Sequence, residues 1–215
     1  MLVEAAVESL DDARAAVEGG AGRLELCARL DLGGTTPDLA LLQSVVATAS
    51  VPVLAMIRPR GGDFVYSAAE IEGMHAGVGA ALRAGASGVV LGALDATSGI
   101  DVAATRSLVR AARGAPVTFH RAIDETPDPL AALDLLIDLG VARVLTSGGA
   151  TSAERGIDGL AALVRRAAGR IAIVAGGGVR GGNARRIAER TGVGEVHARC
   201  AGDASRIRAI RDAVG

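Results

Sequence analysis

Arg58-Pro59-Arg60-Gly61-Gly62-Asp63 follows the apolar run 52–57 directly, so a buried strand delivers two guanidinium groups and a carboxylate to one place. A guanidinium is a planar fork of N–H donors that matches carboxylate or phosphate oxygens bidentately. The paired glycines let the backbone bend tightly or approach a bound group. Two outcomes suit this spacing: a clamp for a small anion, or an Arg–Asp salt bridge that ties down a loop. Histidine supplies the next chemistry, because it titrates near neutrality and serves as acid, base or ligand. The chain has 3 histidines. His120 closes Val117-Thr118-Phe119-His120, with Arg121 and Asp124 just behind it, and His197 closes Glu195-Val196-His197. His75 falls within a helical pattern and reads as a surface residue.

Glu25, His120, Asp124 and His197 are therefore the candidates for proton transfer. Glycine turns at Thr146-Ser147-Gly148-Gly149 and Ala175-Gly176-Gly177-Gly178 can direct backbone N–H groups at an anion, or can simply be turns. The anion-binding candidates are Arg58, Arg60, Asp63, Arg121, Ser147, Gly148, Gly176 and Gly177. Two histidines and a glutamate could also hold a divalent metal, whereas copper(I) prefers thiolate and thioether. Soft donors are few: Cys27, Cys200, Met56 and Met74, besides Met1. Cys27 shares a strand face with Glu25 and is the better placed of the thiols, although a buried free cysteine also serves as a small hydrophobe.

These groups need a scaffold, and the elements that supply it recur about every 25 residues along the chain. Short β-type runs fall at 2–7, 23–27, 51–57, 88–91, 117–120, 143–146, 171–175 and 195–198. Helical patterns lie near 9–19, 37–49, 67–84, 101–113, 127–139, 151–168, 180–191 and 205–214. Ser9 with Asp12, Thr36-Pro37, Ser67 with Glu70 and Thr151 with Glu154 read as helix starts. Eight strand–helix units without a composition break predict an α/β fold, a compact (β/α)8 TIM-type barrel forming one domain over 1–215. An open doubly wound sheet is the alternative, but no GxGxxG turn follows the first strand. Period-two alternation points Glu4, Glu25, Arg58, His120, Glu195 and His197 into the barrel, with Arg23 available to pair with Glu4.

Composition removes several functions. All 23 basic residues are arginines. With no lysine, Schiff-base aldolase chemistry, covalent pyridoxal phosphate attachment and a Walker-type P-loop are excluded. A net charge of −1 gives no footprint for nucleic acid or an anionic membrane. No apolar run spans a bilayer and no signal-type segment opens the chain, so the sequence reads as a cytoplasmic protein with reduced thiols.

Five segments carry a resemblance to a known family: Glu25-Leu26-Cys27, Arg58-Pro59-Arg60-Gly61-Gly62-Asp63-Phe64-Val65-Tyr66, Thr118-Phe119-His120-Arg121-Ala122, Arg143-Val144-Leu145-Thr146-Ser147-Gly148 and Glu195-Val196-His197. In this order they resemble the CutC copper homeostasis proteins, from about residue 2 to residue 202. The resemblance implies a TIM-type barrel, a cytoplasmic location, a role in copper tolerance and trafficking, and copper as the bound group. Cys27 matches a family position and becomes the metal candidate, whereas Ala198-Arg199-Cys200 departs from the small serine-type residues usual after the last histidine. The link to the final helix is also shorter than in the family, which implies a more open mouth. Two readings stand at this point. One is a CutC-like copper-binding or trafficking protein; the other is a barrel enzyme on a small phosphate- or carboxylate-bearing substrate, working by lysine-independent acid/base or metal-assisted chemistry. The partner is accordingly a copper ion or a small anionic ligand, and a homo-oligomer is compatible with either.

Overall fold

A computed structural model describes all 215 residues. Eight parallel strands form a closed barrel in chain order: β1 (Leu2–Val7), β2 (Arg23–Leu26), β3 (Val53–Met56), β4 (Gly88–Leu91), β5 (Val117–Phe119), β6 (Arg143–Thr146), β7 (Ala172–Ala175) and β8 (Glu195–Arg199). The helices that return the chain between strands are α1 (Leu10–Glu18), α2 (Leu39–Thr48), α3 (Ala68–Arg83), α4 (Val102–Ala111), α5 (Pro129–Asp138), α6 (Ile157–Ala167) and α7 (Gly181–Thr191); α8 (Ala204–Val214) follows β8. Pairing of β1 with β8, with Glu4 opposite His197, closes the sheet and excludes the open doubly wound alternative. No helix is long and apolar enough to cross a membrane.

The hydrophobic core is the annulus between strands and helices. Leu24, Leu26, Val89, Val144 and Val196 face outward from the strands and are buried against Leu42, Leu108, Leu133, Leu160, Ile187 and Ile207 of the helices. Aliphatic side chains fill this space almost alone, since the chain has 2 Phe and no Trp. The opposite strand faces carry Glu4, Arg23, Glu25, Thr118 and His197 into the barrel, as the alternation predicts.

Local signals set most helix starts. Ser9 accepts the Asp12 N–H, and Ser67 with Glu70 forms a reciprocal capping box. At α2 the cap is Asp38 rather than Thr36-Pro37, because its carboxylate reaches the N–H groups of both Ala40 and Leu41. The start of α6 is later than expected, at Ile157 instead of Thr151. Segment 150–156 folds back so that Gly156 lies against the Ser147 carbonyl, where a Cβ would collide. Two short 3-10 turns were not foreseen, Leu30–Leu32 and Arg121–Glu125, and the second positions Arg121 and Asp124. His75, expected at the surface, is half-buried, with Nε2 2.9 Å from the Ser107 hydroxyl of α4.

Candidate functional site at the barrel mouth

The register that pairs Glu4 with both Arg23 and His197 builds a charged column inside the barrel. Arg23 donates from Nε to Glu4 and from Nη2 to Glu195, both at 2.5 Å. Arg143 donates to the Thr118 hydroxyl at 3.2 Å. Charges this deep must be paired, because an isolated one costs several kcal/mol. Burial alone would raise the Glu4 carboxyl, but hydrogen bonds and charge from His197 and Arg23 outweigh it and hold it at about 2. Glu4 and Arg23 thus form the structural base of the site.

One layer higher, His197 Nδ1 bonds Glu4 Oε1 at 2.8 Å, and its Nε2 lies 3.9 Å from Glu25 Oε1. Burial opposes the imidazolium, yet the Glu25 charge and the Glu4 bond raise His197 above the ordinary histidine range. Glu25 moves upward, chiefly through burial and further through the Glu4 charge, against the pull of His197. The Cys27 thiol donates to the same Glu25 Oε1 at 3.4 Å, and burial together with that carboxylate keeps it well above its ordinary value. Glu25 Oε2 is buried without any partner. One ligand atom each from Glu4, Glu25 and His197 lies within 4.8 Å of the others. The Met56 methyl and the Cys27 sulfur both border the space beside Gly34, so the two soft donors flank one spot.

On the other side, His120 follows β5. Its Nδ1 accepts the Ala122 N–H at 3.3 Å, which places the proton of the neutral ring on Nε2. That Nε2 is buried and unpartnered. Burial, reinforced by the Arg58 charge, lowers His120 to about 3, so the ring stays neutral at physiological pH. Phe64 lies between the two groups, 4.8 Å from the imidazole centre and 4.7 Å from the Arg58 guanidinium. Arg58 spends three N–H groups on the carbonyls of Leu32, Gly34 and Gly62. The Tyr66 hydroxyl lies against this guanidinium without completing a hydrogen bond.

Glu25, Arg58, His120 and His197 line a single cavity of about 600 Å³ at the C-terminal mouth, where active sites of such barrels lie. Arg121 and Gly177 also line it. Six other candidates for proton transfer or anion binding do not. Arg60 turns outward to Glu70 at 2.7 Å and Asp63 at 2.9 Å, so this half of the motif is the loop-tying salt bridge. Asp124 is enclosed by its own loop, accepting from Thr146 Oγ1, the N–H groups of Ser147 and Gly149, and Arg121 Nε. The turn after β6 therefore already holds an anion, the protein's own carboxylate, and Ser147 and Gly148 have no donors left for another. Gly176 gives its N–H to the Thr146 carbonyl. Sequence reasoning missed Phe64, Gly178, Val179 and Arg206 as lining residues; only Gly178 had a signal, as the third glycine of its run.

A closed (β/α)8 barrel with a charged column and a polar C-terminal mouth places the chain among the TIM barrels. The CutC family model matches residues 1–202. A CutC family protein of Xanthomonas axonopodis pv. citri is 49% identical over 94% of this chain and 84% of its own length. The mouse copper homeostasis protein cutC homolog is 47% identical over 95% of this chain and 75% of its own. The crystal structure of a CutC from Streptococcus agalactiae superposes with a TM-score of 0.88 at 34% identity, covering 96% of this chain and 99% of that one. The chain belongs to the CutC family.

Proposed function

We propose that this protein acts in cytoplasmic copper homeostasis, with the Cys27–Glu25–His197 side of the mouth as the metal contact. One observation carries the reading: a single carboxylate oxygen of Glu25 lies within 3.4 Å of the Cys27 sulfur and 3.9 Å of His197 Nε2. An imidazole and a carboxylate on the wall of the cavity thereby meet a thiol buried behind them. Softness decides which ion fits. Cys27 and Met56 are the donors copper(I) favours, while His197 and the carboxylates suit copper(II) or another borderline ion. Because the buried thiol is held protonated, the metal must displace its proton, and affinity rises with pH. The acceptor of that S–H bond, Glu25, is already in place to receive it.

Titration of the purified, reduced protein with copper(I) against a competing chelator tests this. Cys27→Ser abolishes tight binding. Cys200→Ser leaves it unchanged, since that thiol follows β8 and is buried in the aliphatic core, with the Asp203 carbonyl as its hydrogen-bond partner at 3.9 Å. Tight binding that survives Cys27→Ser, or none by the wild type, refutes the assignment.

A further inference from the structure

The copper reading uses one wall of the cavity and leaves two sets of donors idle. The first is at the rim after β7. Gly177, Gly178 and Val179 line the mouth, and none of their N–H groups reaches a protein acceptor. Gly177 and Gly178 have φ of 95° and 75°, the left-handed region that arranges successive N–H groups into a concave, anion-receiving turn. Arg121 stands over this turn: a Cβ on Gly177 would sit 3.4 Å from its Nη1. That Nη1 is free, because Arg121 spends Nε on Asp124 and Nη2 on Ser147. Arg206, in the first turn of α8, faces the same mouth without an ion pair.

The second set is on the floor, where His120 offers a buried, unpartnered Nε2–H. A donor held dry in this way costs free energy until an acceptor arrives. The charge of the lining agrees. Five arginines (58, 121, 180, 199 and 206) face the cavity, against one carboxylate, Glu25.

We propose that the mouth is a two-ended site for a small phosphate monoester. The phosphate rests on the N–H groups of Gly177, Gly178 and Val179 and on Arg121, and a carbonyl or carboxylate oxygen at the far end accepts from His120 Nε2–H. Both ends are needed for selectivity: the rim takes any phosphate, and the floor distinguishes an ester with an oxygen acceptor from the bare ion. Since neither end is a copper contact, this site stands apart from the metal assignment, and the metal-free protein reports on it alone.

Calorimetry on the metal-free wild type with inorganic phosphate, 2-phosphoglycolate and glycolate tests the proposal. Phosphoglycolate binds about tenfold more tightly than phosphate, the effect of one added charge-assisted hydrogen bond, and glycolate binds most weakly. Arg206→Gln, an exposed change that breaks no contact of the fold, weakens both phosphate ligands and reduces their salt dependence. His120→Phe keeps an aromatic ring in place and removes the donor, so phosphoglycolate falls to the level of phosphate. Absence of binding by either phosphate ligand at millimolar concentration overturns the proposal, as does a preference for phosphoglycolate that His120→Phe leaves intact. Either result leaves the copper titration unaffected.

Discussion

His120→Phe also probes how dry the floor of the mouth is. The imidazole is held neutral to about pH 3 by burial and the Arg58 charge, whereas an unfolded histidine titrates at 6.5. Between those values the unfolded chain binds a proton that the folded protein refuses, so acid favours unfolding. From about pH 7 to about pH 5 the loss is roughly 2 kcal/mol, at 1.36 kcal/mol per unit below 6.5. Phenylalanine is a somewhat larger aromatic ring beside Phe64, a packing difference that does not depend on pH, and it has no proton to refuse. It also gives up the Ala122 N–H bond, a penalty that does not depend on pH. Urea unfolding of both proteins at the two pH values supplies the measurement: the stability of the wild type relative to the variant declines by about 2 kcal/mol on acidification. Taking the difference cancels Glu25 and His197, which titrate in both proteins. A gap that does not change with pH, or an imidazole resonance of His120 that titrates near 6.5, would refute the account.

Other consequences follow from the same geometry. Glu4→Gln leaves Arg23 and His197 short of their shared buried carboxylate and costs about 3 kcal/mol, seen as a lower urea midpoint. Because the depressed Glu4 pKa stabilises the fold above the ordinary carboxylate value and is lost as pH falls toward about 2, the variant is also less acid-sensitive in that range. Two glycines should respond in opposite directions to alanine. Gly92→Ala puts a Cβ 2.6 Å from the His120 ring and destabilises by about 1–3 kcal/mol, whereas Gly73→Ala on α3 meets nothing within 4 Å and stabilises by up to about 1 kcal/mol. Arg60→Ala, at a half-exposed salt bridge outside the cavity, leaves the urea midpoint nearly unchanged and ligand binding intact. Thermal or urea unfolding measures each.

The sequence by itself determined the barrel and the inward set. Eight alternating runs set the strand count, and period-two alternation aimed Glu4, Glu25 and His197 inward, because side chains on successive strand residues must take opposite faces. The absence of lysine likewise rules out Schiff-base and P-loop chemistries from composition alone. Tertiary structure alone decided which members of each motif work together. Arg58 and Arg60 are two residues apart and equally basic, yet one turns into the mouth and the other ties a loop to Glu70, a choice made by carbonyls from residues 32, 34 and 62. Two glycine turns looked alike, but Asp124 occupies the one after β6 and leaves the one after β7 open. The reason is physical: local spacing fixes which face a side chain takes, while its partners come from strands and loops far away in the chain, and only closure of the barrel brings them within hydrogen-bonding reach.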